Sequence, residues 1–137
     1  MTDFDEHRIR VRYAETDQMG VAYYANYFVW FEVGRSEFCR NRGFSYDEME
    51  KLTNSYIVVA EAACRYRLPL RYDMEFILRT RLRELRRRSM TFSYELTDPA
   101  RETIFALGET KHVVVGTDGR PRTFPEVYYR LLQGQGE

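Results

Sequence analysis

The chain has 137 residues, 44% of them hydrophobic, 15% aromatic and 31% charged, with only 8 Gly and 4 Pro. That balance builds one compact core over residues 1–137 and excludes a disordered or low-complexity chain. The 21 basic and 21 acidic side chains cancel overall, but unevenly: residues 1–64 carry 7 basic and 11 acidic groups, 65–88 carry 9 and 3, and 89–137 carry 5 and 7. A nucleic-acid surface needs a wider positive field than this flanked stripe supplies. Cys39 and Cys64 lack CxxC spacing and there are only 2 His, so neither a disulfide framework nor a metal site is expected. No apolar run approaches the ~18 residues of a membrane span, and the opening MTDFDEHRIR is too charged for a signal peptide. A cytoplasmic location is expected.

Residues 8–14, RIRVRYA, alternate strictly, which predicts a half-buried strand with Ile9, Val11 and Tyr13 on its inner face. The polar ETDQMG segment reads as a strand-to-helix loop. From about Val21 to Arg42, aromatic residues recur at helical spacing and Gly43 suits the left-handed residue after a helix end, so one long, mostly buried helix is predicted. Gly34 inside it costs roughly 1 kcal/mol against Ala and implies a close approach by another backbone. Residues 45–53 read as a short helical turn, and 55–67 as a strand closed by Pro69.

The segment 76–85 fits either period: Leu78, Leu82 and Leu85 suit a helix, whereas Phe76, Leu78, Thr80 and Leu82 suit one strand face. Alternation over 90–96 and a turn at 86–89 favour a hairpin, hence the strand. A further strand over 102–115 closes at Thr117-Asp118-Gly119, and a terminal helix covers 125–132. The order, strand, long helix, then four strands, predicts an antiparallel α+β domain with the helix on one sheet face.

Neither a GxSxG elbow nor a Gly-rich phosphate loop is present. The chemical candidate is the loop Glu15-Thr16-Asp17-Gln18-Met19-Gly20, two carboxylates beside a helix start. Free N–H groups there can hold a developing oxyanion while a carboxylate attacks or activates water, which suits acyl transfer. The plain alternative is an Asp that caps the helix or makes an Asx-turn. Arg86, Arg87, Arg88 and Ser89 form a second constellation, readable as a solvated hairpin turn or as a phosphate clamp. Tyr23, Tyr27, Phe28, Trp30 and Phe31 read mainly as core. Glu32 and Arg35 read as an i,i+3 ion pair, His112 as structural, and Cys39 and Cys64 as small buried hydrophobes.

The segment VRYAETDQMGVAYYANYFVWFEVGRSEF resembles the signature of hotdog-fold acyl-CoA thioesterases of the 4-hydroxybenzoyl-CoA type. The likeness lies in the Tyr13, Asp17, Gly20 spacing, in Tyr23, Asn26-Tyr27, Glu32 and Arg35. It continues through Arg67-Leu68-Pro69-Leu70, Tyr72-Asp73 and the basic turn ending in Ser89. This resemblance implies a hotdog fold, a long central helix packed on a curved antiparallel β-sheet, and turns the 76–85 ambiguity toward strand. It implies thioester hydrolysis to a free acid and CoA, with no cofactor beyond the CoA thioester substrate. The family's essential carboxylate maps onto Asp17 rather than Glu15, and its carbonyl-polarising N–H onto the helix start at Tyr24. Many relatives carry His where this chain has Tyr24.

The same likeness puts pantetheine and nucleotide phosphates near Arg86, Arg87, Arg88 and Ser89, and implies a homodimer or homotetramer with the site at a seam between sheets. An acyl carrier protein is the other carrier it allows, and a non-catalytic acyl-CoA or acyl-carrier-protein binding module is the alternative function.

Overall fold

The computed structural model describes residues 4–134. Strand β1 (Asp5–Arg10) leads through a 3-10 turn at Tyr13–Glu15 to helix α1 (Asn26–Asn41) and the short helix α2 (Tyr46–Thr53). Strands β2 (Tyr56–Tyr66), β3 (Glu75–Leu85), β4 (Ser89–Thr97) and β5 (Ile104–Val115) follow, and helix α3 (Glu126–Gln133) ends the order. The strands form one sheet in the order β1-β3-β4-β5-β2, antiparallel at every pairing. This is the α+β arrangement expected.

Residues 76–85 are strand. Phe76, Leu78, Thr80 and Leu82 are all buried on one face, while Arg79 pairs outward with Glu6 and Glu95 and Arg83 with Glu109. A period of two separates these sets, which a helix cannot do. The hairpin closes through Arg86 N–H, which donates to Ser89 O at 2.8 Å.

Helix α1 lies on the inner face, with Phe31 stacked on Tyr94 of β4 at 4.2 Å between ring centroids. Gly34 permits the contact: a Cβ there would lie 2.3 Å from Thr80 Oγ1 and 2.9 Å from Leu78 Cδ2. The approach that Gly34 allows is therefore by β3 side chains rather than backbone. Gly43, at φ +79°, ends the helix in the left-handed region. Ser45 caps α2 by accepting from Glu48 N–H, and Tyr128 of α3 meets Phe44 edge-on at 5.1 Å.

Four further expectations are corrected. The predicted strand 8–14 stops at Arg10, because Glu15 N–H bonds Arg12 O and Thr16 N–H bonds Tyr13 O; that turn leaves Tyr13 77% exposed. The predicted helix start at Val21 moves to Asn26, since Val21 and Ala22 instead bridge Arg71 and Thr16. Glu32 and Arg35 do not pair: Glu32 is exposed, and the Arg35 guanidinium turns inward beside Tyr94 and His112. Cys64 is half-buried rather than buried, unlike Cys39.

The two sheet edges differ. Strand β1 is short and charged, which blunts it against further pairing. Strand β2 is eleven residues long and leaves Val58, Val59 and Tyr66 exposed. No helix among the described residues is long and apolar enough to cross a membrane.

Candidate active site

Two carboxylates two residues apart have different fates. Glu15 is 7% exposed; its Oε1 accepts from Arg12 N–H at 2.8 Å and its Oε2 from Trp30 Nε1–H at 3.1 Å and Arg12 Nη2 at 3.3 Å. Its carbonyl also accepts from Tyr23 N–H and from the Asn26 amide, both at 2.8 Å. Both oxygens are committed, so Glu15 ties the loop to the start of α1.

Asp17 is exposed, and its Oδ1 accepts from Met19 N–H at 2.9 Å and Val21 N–H at 3.4 Å. The Asx-turn foreseen as the plain alternative is therefore present. It uses one oxygen only: among the described residues Oδ2 has no hydrogen-bond donor. The turn aims the carboxylate without consuming it, so an Asx-turn and a chemical role are compatible at this residue.

At the entry to α1 the N–H groups of Tyr24 and Ala25 have no acceptor among the described residues. They add to the partial positive charge of a helix N-terminus. The Tyr24 side chain is 60% exposed, and its carbonyl accepts from Tyr66 Oη at 2.9 Å. Tyr66 also meets Tyr27 edge-on at 4.8 Å, and burial raises the phenol pKa of both. Both phenols stay neutral.

Asp17 and Tyr24 line one open cleft of about 360 Å³, walled by Val21, Ala22, Tyr27, Tyr66, Arg67, Leu68 and Pro69. The residue with a free carboxylate oxygen and the residue with an acceptor-free N–H thus line one largely apolar, aromatic cleft. On its other side Asp17 borders a second hollow, with Tyr13 and Tyr72 in its wall. Sequence reasoning missed Tyr66, whose signal is an aromatic residue closing a strand just before the Pro69 turn.

The basic turn stands apart. Arg86 pairs with Glu84 at 3.0 Å. Arg87 pairs with Glu126 at 2.8 Å and lies over the Tyr129 ring. Arg88 has no ion pair among the described residues, and Ser89 opens β4. The Asp17 loop adjoins the start of β3, since Ala22 N–H donates to Leu70 O and Val11 N–H to Met74 O. The turn lies at the far end of that strand, roughly 35 Å away for eleven residues at about 3.3 Å each. Within one protomer Asp17 and Tyr24 come together and Arg86–Ser89 do not join them.

Residues 11–132 match the thioesterase-like superfamily. The acyl-CoA thioester hydrolase YbgC of Escherichia coli O6:H1 is 30% identical over 121 residues, covering 86% of this chain and 87% of that protein. The DHNA-CoA thioesterase of Staphylococcus aureus superimposes with a TM-score of 0.85 at 30% identity, covering 96% of this chain and 91% of that one. A 4-hydroxybenzoyl-CoA thioesterase in complex with 4-hydroxybenzoyl-CoA has a TM-score of 0.84 at 16% identity, over 96% and 99% of the two chains, and so shares the fold. Sheet order, central helix and sequence agree: the chain belongs to the thioesterase-like superfamily and is a hotdog-fold thioesterase.

Proposed function

We propose that this chain hydrolyses acyl-CoA thioesters in the cytoplasm, with the Asp17 carboxylate as nucleophile or general base and the Tyr24 N–H as the carbonyl-polarising group. The observation that carries this reading is that Asp17, with Oδ2 free of donors, and Tyr24, with an acceptor-free N–H at the start of α1, line the same cleft. The N–H stabilises the oxyanion as the carbonyl becomes tetrahedral. The carboxylate attacks the carbonyl carbon or takes a proton from the attacking water. The C–S bond then breaks, and because a thiolate leaves readily no strong acid is required; where Asp17 itself has attacked, water next cleaves the acyl–Asp17 anhydride and restores the carboxylate. Water and acyl-CoA give a free carboxylic acid and CoA.

The substrate's phosphates are assigned to Arg86, Arg87, Arg88 and Ser89 of a second copy. Pairing two β2 edges antiparallel would cover their exposed valines and set the Tyr66 end of one strand beside the Tyr56 end of the other. The basic turn lies at the Tyr56 end, because Ser89 pairs with Val113 and Tyr56 with Val115. It would then stand about three strand spacings from the seam, roughly 15 Å, on the side where the first copy carries Asp17. That span suits an extended pantetheine arm between phosphate and thioester.

Release of free thiol across a panel of acyl-CoAs tests the activity. Asp17→Asn keeps the Asx-turn acceptor and removes the charge, so kcat should fall by at least about 100-fold; near wild-type turnover would refute the mechanism. Mixed dimers of Asp17→Asn with an Arg87→Ala and Arg88→Ala double variant should recover part of the activity. A fully active preparation that scatters light as a 16.5 kDa monomer would refute the shared site.

A further inference from the structure

Helix α1 begins without a capping side chain. Ala25 stands at its N-cap, where Ser, Thr, Asp or Asn usually accepts from the first free N–H groups. No side chain among the described residues therefore competes for the Tyr24 and Ala25 N–H groups, but the turn that carries them must be held by other means. Glu15 O fixes its front, through Tyr23 N–H and the Asn26 amide. Behind that the turn's own bonds are long: Tyr27 N–H reaches Tyr24 O at 3.4 Å and Phe28 N–H reaches Ala25 O at 3.2 Å, at or beyond the far end of the ordinary range. The Tyr24 carbonyl is held instead by the Tyr66 hydroxyl, which donates to it at 2.9 Å from 42 residues away.

Tyr66 is itself well anchored. It ends β2 opposite Ala106 of β5, and the next two N–H groups, of Arg67 and Leu68, both donate to Phe105 O at 2.9 and 3.1 Å. Its ring meets Tyr27 edge-on at 4.8 Å and Tyr24 edge-on at 6.5 Å. The hydroxyl is thus delivered from a fixed strand end, not from the loop it steadies. A hydrogen bond on the Tyr24 carbonyl also polarises the Tyr24–Ala25 peptide and makes the Ala25 N–H a stronger donor. Burial raises the Tyr66 phenol pKa, so the proton stays on the oxygen and the bond persists through the neutral range.

We propose that Tyr66 is a positioning residue for the hydrolysis: its hydroxyl holds the Tyr24–Ala25 peptide so that the N–H groups of Tyr24 and Ala25 are preset for the oxyanion. The inference rests on the thioesterase reading of the Asp17 site. Tyr66 acts through the helix start and moves no proton, since its hydroxyl hydrogen is already given to the Tyr24 carbonyl. Without it that carbonyl keeps only the 3.4 Å bond from Tyr27 N–H. The first turn then loosens, and its donors lose the aim that an oxyanion site needs before charge develops. Because the oxyanion forms only on the way through the reaction, the loss falls on kcat and not on KM.

Tyr66→Phe tests this, because it keeps the ring and its edge-on contacts and removes the hydroxyl alone. With hexanoyl-CoA and benzoyl-CoA, kcat should fall about tenfold while KM stays within about twofold, and the pH profile of kcat should keep its inflections. An unchanged kcat, a loss carried by KM, or the disappearance of one limb of the profile would overturn the inference, making Tyr66 respectively a structural, a substrate-binding or a proton-donating residue. A second measurement needs no turnover. Both thioesters, isotopically labelled at the carbonyl, are bound to Asp17→Asn protein with and without Tyr66→Phe, and the infrared stretch of the bound carbonyl is read. The Tyr66 hydroxyl should draw that stretch to lower wavenumber, and equal frequencies with and without it would overturn the inference. A Tyr66-dependent shift in a protein whose wild type hydrolyses neither thioester would refute the hydrolytic reading alone.

Discussion

Replacing Glu15 with Gln is nearly isosteric, yet it should unfold the protein far more easily than the matching change at Asp17. Glu15 satisfies three donors with two oxygens, Arg12 N–H, Trp30 Nε1–H and the Arg12 guanidinium, in a side chain almost closed to solvent. Gln has one oxygen and one NH₂. Whichever way the amide turns, it meets a backbone or indole N–H donor to donor. A buried donor left unpaired costs about 1–3 kcal/mol, and the surviving bond loses its charge, roughly halving its strength. The sum is about 2–4 kcal/mol.

For a chain of 137 residues, an unfolding entropy near 2.1 cal/mol/K per residue turns that into a fall in Tm of about 7–14 °C. Trp30, the one tryptophan, reports the transition by fluorescence, with all proteins at one protomer concentration. Asp17→Asn, whose Oδ1 still accepts the Asx-turn bonds, should change stability by less than about 0.5 kcal/mol. A Glu15→Gln protein that melts with the wild type, or an Asp17→Asn protein that melts as early as Glu15→Gln, would refute this division of labour.

Gly34→Ala places a methyl against Thr80 Oγ1 and Leu78 Cδ2, so overpacking of about 1–3 kcal/mol should outweigh the roughly 1 kcal/mol gained in helix propensity. Thr80→Ala removes a buried hydroxyl that has no partner and should recover part of the loss in a urea-denaturation double-mutant cycle; strict additivity would refute the contact. Burial first, and the Arg35 charge second, hold the His112 pKa down from 6.5 to about 3. The unfolded chain therefore binds a proton that the fold refuses, and stability falls by about 1.4 kcal/mol per unit as pH drops below 6.5. Glu6, held down to about 2 by Arg101 and Arg79, adds its loss only below 4.5, so urea midpoints between pH 6.5 and 4.5 isolate His112, and a His112→Gln protein with the same slope would refute the assignment. Arg88→Ala should raise KM for acyl-CoA more than Arg87→Ala, because Glu126 already pairs with Arg87; the effect should vanish on acyl-pantetheine, and equal loss on both substrates would assign the turn a structural role.

Elements with a strong period were legible from composition and spacing. The β3–β4 hairpin resolves a helix-or-strand ambiguity because charged and apolar residues alternate on both arms, and Gly34 and Gly43 mark a close contact and a helix end. What stayed hidden depends on where the chain turns. Alternation through Ile9, Val11 and Tyr13 continues past the strand, but hydrogen bonds from Glu15 and Thr16 bend the backbone there, and no periodicity encodes that. The i,i+3 spacing of Glu32 and Arg35 permits an ion pair, yet Arg35 turns inward. Glu15 and Asp17 are equivalent to any reading of residue types. Only the position of Trp30 and Arg12 around one of them separates the buried tie from the carboxylate left facing a cleft.

The basic hairpin tip is not a loose end. Phe124 N–H donates to Arg87 O at 2.8 Å and Val114 N–H to Arg88 O at 3.0 Å, which clamps the tip between β5 and the segment that enters α3. Arg87 is further held by Glu126 and by the face of Tyr129. The phosphate proposed to dock there would meet guanidinium groups on a backbone already fixed, so little conformational entropy would remain to be lost. The aromatic helix at the end of the described chain, remote from the Asp17 loop in its own protomer, thereby sets how rigid a landing the tip offers.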